Sequence, residues 1–433
     1  MRPGQSFSCL KTVFAAFKTI LLTLIAAGQP AQAQNYKFKV LHTFYGKDGA
    51  NPIGQLMMDA AGNFYGTTGE GGSGTCQNFG CGTAFKMNMA GKILWQHSFQ
   101  GPNGETPLAG LFQDSTGSLF GTTGYGGKIN NRICPNDGGC GVVFKLDTDG
   151  RRETVLHKFT GPPDGYIPES LLVGDSAGNL YGTTYIGGKD GYGAVFEIDK
   201  TGKETILYNF TGGSDGCAPY PGVIRDDAGN LYGVTLIGGA GFCNSGYGVV
   251  FKVDPSGNET VLHAFSGSDG ANPISVLLFD EQGNLYGTTE NGGTSNVCGG
   301  GCGTVFELTP RGDGSWSETV LYSFCTQSGC TDGETPFGGP LVRDAKGNIC
   351  GTTESGGASS NCNGGGCGVV FKLSAGVETV LHTFTGGADG AVPYGGLTIN
   401  LTGNLYGAVL EGGDLKCPIG NGRGCGTIFK ISP

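Results

Sequence analysis

The chain has 433 residues, of which 86 are glycine, and a formal net charge of −10. It is longer than one ordinary core serves, and glycine stands at about three times its usual share without the every-third-residue period of collagen, so the composition points to one repetitive body. The acidic balance argues against nucleic acid or an anionic membrane as a partner.

At the N-terminus, Arg2, Lys11 and Lys18 precede the apolar run Thr19 to Gly28, and Ala31-Gln32-Ala33 offers small residues for cleavage. Residues 1–33 therefore read as a secretory signal peptide and residues 34–433 as the mature domain, secreted or periplasmic. The apolar run is shorter than the ~20 residues a spanning helix needs, so membrane insertion is not expected. In the mature chain every stretch long enough for a helix contains a glycine turn signal, and β-branched and aromatic residues fill the short runs between turns. That pattern predicts an all-β protein.

The first run, Phe38 to Phe44, is followed by a pattern that recurs seven times with a period of roughly 50 to 65 residues. Its clearest copy, Pro168 to Phe210, divides into four strands. Strand A is Ser170 to Gly174, strand B Asn179 to Thr184, strand C Gly193 to Ile198 and strand D Glu204 to Phe210, with tight turns joining A to B and C to D. Four strands at this period make a propeller blade. Strand C carries Phe85, Phe144, Phe196, Phe251, Phe306, Phe371 and Phe429 at one position, and strand D ends on Phe44, Phe99, Phe159, Phe210, Phe265, Phe324 and Phe384. The first strand D precedes any A, B or C, whereas the last unit stops at Ile431 after its strand C. The expected fold is therefore an all-β, seven-bladed β-propeller of four-stranded blades, closed by the N-terminal strand. An open solenoid would leave the complementary half-units and the exposed edges unexplained.

The run Asn-Leu-Tyr-Gly-Thr-Thr-x-x-Gly-Gly, then Gly-x-Val-Phe-Lys, then Glu-Thr-Val-Leu-His-x-Phe, resembles the GloVer tandem repeat of exported bacterial proteins, sometimes called choice-of-anchor proteins. The resemblance spans nearly all of the mature chain. It implies export and repetition, and it implies no particular reaction.

Sixteen cysteines suit an oxidising compartment. Cys9 leaves with the signal. Six local pairs are visible: Cys76 with Cys81, Cys134 with Cys140, Cys298 with Cys302, Cys325 with Cys330, Cys362 with Cys367, and Cys417 with Cys425. No histidine stands beside any of them, which favours disulfides over zinc. Cys217, in the link entering blade four, and Cys243, in the B-to-C loop of that blade, are expected to bridge. Cys350 replaces the Tyr or Phe of strand B and is expected to be a buried free thiol.

All five histidines, His42, His97, His157, His263 and His382, share one strand D position that Tyr208 and Tyr322 fill in the other copies. A site used in every repeat and tolerant of tyrosine reads as packing, so no catalytic residue and no metal ligand is assigned to it. The D-to-A links carry Asp48, Asn103, Asp164, Asp215, Asp269, Asp332 and Asp389, each four residues before a proline. Their plainer role is to set a turn; no cofactor is expected, and calcium is the one ion these oxygens would suit. A Gly-x-Ser-x-Gly match at Gly174–Gly178 sits in a hairpin turn and lacks the helix that a nucleophile elbow needs.

The long B-to-C loops and D-to-A links emerge on one face of a propeller, where variable loops on a rigid scaffold usually bind. Just after strand B, blades five, six, seven and one carry Glu290, Glu354, Glu411 and Glu70, the last two one residue further on, an arc that faces Tyr125 and Tyr185 on the opposite blades. Tyr220, Phe337 and Tyr394 follow link prolines and could stack on a ligand. The expected function is a non-catalytic binding module, monomeric, for a glycan, a peptide or another exported protein. The competing expectation is a polysaccharide lyase or glycoside hydrolase using two of the loop-face glutamates.

Overall fold

The computed structural model describes residues 36–433 apart from 77–78, 128–133, 135–137, 338, 363 and 421. The expected signal peptide, residues 1–33, lies outside the described residues. Seven antiparallel sheets run in the order A-B-C-D, six of four strands and one in which Ala271–Pro273 of the link adds a fifth. The result is a seven-bladed β-propeller. No described helix is long and apolar enough to cross a membrane.

The repeat motif explains its own sheet. In the third blade Leu180–Thr184 pairs with Ala194–Ile198, which places Gly182 opposite Phe196. A Cβ on Gly182 would meet the Phe196 ring at 2.7 Å, so the glycine of Tyr-Gly-Thr-Thr is what lets the ring lie flat across the strand. Each strand C phenylalanine then meets the strand D phenylalanine of the preceding blade. Phe159 contacts Phe196 edge-to-face at 5.3 Å, and Phe210 contacts Phe251 at 5.1 Å. All of these rings are essentially buried. Such pairs add about 0.5–1.5 kcal/mol each beyond the burial itself, so the two phenylalanine sets are the seams between blades.

Closure uses the same seams. The N-terminal strand Lys37–Thr43 pairs with the last strand Thr427–Ser432 from Lys37 opposite Ser432 to Thr43 opposite Thr427. Phe44 thereby reaches Phe85 of blade one at 5.5 Å, and Phe384 of blade six reaches Phe429 of blade seven at 5.3 Å.

The innermost strand is shorter than the sequence suggests. In blade three its ladder begins at Val173 instead of Ser170. Ser170 and Leu171 serve the neighbours instead: the Ser170 carbonyl accepts from Thr122 Oγ1 at 3.0 Å, and Leu171 bridges Gly222 of the next blade. Seven inner strands converging on one axis leave little room for a full ladder.

Among the described residues seven disulfides are present, joining Cys76–Cys81, Cys134–Cys140, Cys217–Cys243, Cys298–Cys302, Cys325–Cys330, Cys362–Cys367 and Cys417–Cys425. Cys350 is free and buried, and burial pushes its thiol up to about 12. A disulfide set of this size marks an oxidising compartment outside the cytosol.

Candidate functional site

In each blade the D-to-A link pairs with the residues just past strand B. Ala50 pairs with Glu70, Glu105 with Tyr125, Tyr166 with Ile186, Glu334 with Ser355 and Ala391 with Glu411. Links and B-to-C loops therefore share one face. The pairing also sets register: Glu70, Tyr125 and Glu411 hold one position, while Tyr185, Glu290 and Glu354 hold the position one residue earlier. Successive residues of an extended chain point to opposite sides. The four glutamates thus split into two pairs.

Glu290 and Glu354 belong to the axial pair. Burial raises both carboxyls, and Glu290 and Glu411 repel Glu354 further. Glu411 instead forms an ion pair with Arg423 at 3.0 Å, beside a groove of about 390 Å³ between the loops of blades six and seven. Glu70 is raised by burial alone and shares no partner with the others.

The residues after the link prolines complete the mouth of the axis. Tyr220 of blade four and Tyr394 of blade seven meet closely enough to influence each other's hydroxyls. Tyr185 stands edge-on to Tyr220 at 6.0 Å, and Phe337 lies against Tyr394 at 4.3 Å. Four rings from blades three, four, six and seven thus form a bar across the axis. Beside it lies a cavity of about 40 Å³ lined by Ile53, Leu108, Glu169, Tyr220 and Tyr394 together with inner-strand glycines.

Glu169 holds in blade three the post-proline position that is aromatic in blades four, six and seven. Its carboxylate rests on Gly124, where an added Cβ would lie 2.9 Å from Oε1. Burial is the only influence on it and pushes the carboxyl up to about 7, with no hydrogen-bond donor or cation among the described residues to offset that burial. Its charge reaches Tyr125 and Tyr185. Sequence reasoning singled out the aromatics of this position and passed over Glu169, although it is the one acid there.

The strand D histidines take a structural part. His42, His157, His263 and His382 bond to Asp48, Asp164, Asp269 and Asp389 of their own links at 2.8, 3.2, 3.0 and 3.2 Å. Tyr208 and Tyr322 do the same with Asp215 and Asp332 at 3.0 and 2.8 Å. Where the link offers Asn103, His97 turns to Glu153 of the next blade at 2.9 Å. Glu204, Glu259, Glu318 and Glu378 stand at the same strand D position as Glu153, facing the preceding link, and burial aided by the link aspartate raises each of them. Among the described residues, His157 with Asp164 and Glu204, and His263 with Asp269 and Glu318, bring their ligand atoms within 4.8 Å. Glu204 and Asp164 face each other, and burial together with the Asp164 charge raises the Glu204 carboxyl. The Cys298, Cys302 and Cys325 sulfurs beside Glu334 are disulfide-bonded and offer no thiolate.

Among solved structures the chain is similar to a fungal alcohol oxidase of the AA5 family in complex with copper, at TM-score 0.55 and 14% identity over 92% of this chain and 77% of that one. It is also similar to the extracellular domain assigned to a hybrid two-component system of B. thetaiotaomicron, at TM-score 0.50 and 11% identity over 92% of this chain and 41% of that one. At these identities the likeness concerns the propeller fold alone. No curated protein matches the chain. The repeats match the Gloeobacter/Verrucomicrobia repeat over residues 135–299 and 244–433, together more than half of the sequence, and the chain belongs to that family.

Proposed function

We propose that this chain is an exported, non-catalytic binding module whose ligand, a glycan, a peptide or another exported protein, seats on the mouth of the propeller axis. The observation that carries the reading is the bar of Tyr185, Tyr220, Tyr394 and Phe337 across a concave mouth. Aromatic rings with polar tips at a concavity offer apolar contact area and orientation at once. The stapled loops around them give the rigid frame such a surface needs.

The lyase or hydrolase reading calls for two glutamates as acid and base at hydrolytic spacing, and an Arg or an ordered metal beside them would strengthen it. Glu169, Glu290 and Glu354 supply raised carboxyls, but no Lys, Arg or His lines the cavity among the described residues. That balance favours binding over chemistry. The test is a glycan and peptide array probed with the mature protein, with and without calcium. Retention of one ligand class, lost in Tyr220→Ala, is the expected result. Shortening of a retained polysaccharide would replace this reading with the enzymatic one.

A further inference from the structure

We infer that the cavity beside the aromatic bar takes an organic cation, the ammonium or guanidinium head of a peptide side chain or of a small amine, held between the Glu169 carboxylate and the rings of Tyr220 and Tyr394. The inference rests on the mouth being a ligand site and names what enters it.

Size is the first argument. One water needs roughly 10–15 Å³ of such space, so a cavity of about 40 Å³ admits a group of a few heavy atoms. A guanidinium or a substituted ammonium fits that description, whereas a pyranose ring does not. A sugar could only lie across the rim.

Charge is the second. The lining is apolar, aromatic and glycine-rich around one carboxylate, and that carboxylate makes no hydrogen bond or ion pair with any described residue. Glu290 and Glu354 add negative potential from the same mouth, both reaching Tyr394. Arg423, a basic group on this face, is engaged by Glu411. A half-buried carboxylate without a partner is destabilised, and a cationic head offsets part of that cost.

The rings are the third. A cation within about 6 Å of a tyrosine face gains further attraction, most when desolvated. Glycine at position 124 matters here because it leaves the Glu169 carboxylate free to lie over the backbone and face the cavity.

The experiment is calorimetric titration of the mature protein with N-acetyl-arginine amide, N-acetyl-citrulline amide, tetramethylammonium and maltohexaose. Citrulline keeps the shape of arginine and removes its charge. The expected result is binding of the arginine probe, at least about tenfold weaker binding of citrulline, and a similar loss in Glu169→Gln. Tyr394→Phe keeps the ring and should retain binding. Gly124→Ala, which crowds Glu169 from the neighbouring blade, should weaken binding and guards against a folding defect in Glu169→Gln. Tetramethylammonium binding as tightly as the arginine probe supports a free amine as the source; binding of the arginine probe alone supports a peptide. Equal binding of arginine and citrulline, or no effect of Glu169→Gln, overturns the inference. Maltohexaose binding that is lost in Tyr220→Ala, with no cation bound, overturns it while leaving the mouth a ligand site. Silence from every probe and from the arrays overturns both.

Discussion

Deleting residues 34–44 removes the outer strand of blade seven and tests whether the ring depends on its closure. The strand contributes the six-residue register with Thr427–Ser432 and two aromatic anchors. Phe44 is fully buried against Phe85. Phe38 stacks on His382 at 3.7 Å and lies 5.6 Å from Phe429. Losing a buried phenylalanine costs about 3–5 kcal/mol, and the partly buried Phe38 adds roughly 1–2 kcal/mol. Together these approach the 5–15 kcal/mol that a whole domain typically holds, before the exposed edge of the last strand is counted. The truncated protein should lose its cooperative transition in circular dichroism melts, or elute as aggregate by gel filtration. Adding a peptide of residues 34–46 should restore the transition in a concentration-dependent way, because it binds only the folded ring. A truncated protein that stays monomeric and melts at the parent temperature would refute the closure argument.

Non-reducing peptide mapping should find one unpaired thiol in the mature chain, at Cys350, and a Cys217–Cys243 bridge; Cys350 joined to either would contradict both the pairing and the blade alignment. Gly182→Ala should destabilise by about 1–3 kcal/mol through overpacking on Phe196, read as a lower urea midpoint with unchanged slope. The carboxyls of Glu259, Glu318 and Glu378 are raised to about 7 by burial and by Asp215, Asp269 and Asp332 respectively. Raised folded values mean that their contribution is complete below the unfolded value near 4.5 and is lost as pH climbs through 7. His263 and His382, lowered by burial, act in the opposite sense below their ordinary value, so the comparison must be made by difference. Relative to a triple Glu→Gln variant at these sites, the parent should lose melting temperature between pH 5 and 8; a constant difference over that range would contradict the assignment.

Much of the architecture was legible in the chain because its causes are local. Alternation within Glu204–Asn209, the Asp-Gly turns and the recurring phenylalanines each act within one repeat, and the unmatched strand at each end leaves ring closure as the simple solution. The disulfide loops were equally local, and Cys217 with Cys243 needed only the knowledge that links and B-to-C loops share a face. Strand A was less legible: Ser170 and Leu171 bond to neighbouring blades, an influence that no repeat contains in itself.

The site belongs to the tertiary structure. A one-residue offset in sequence looked minor for Glu411 and Glu70, yet in extended chain it reverses the side on which a residue stands: Glu411 pairs with Arg423, although its charge still reaches Glu354. Tyr220 and Tyr394 are far apart along the chain and meet only because closure of the ring brings blades four and seven to opposite sides of one narrow axis. Glu169 carried no sign in its own repeat beyond its charge. Its burial, the room left by Gly124 and the want of a partner arise from three blades at once, and that is information periodicity cannot carry.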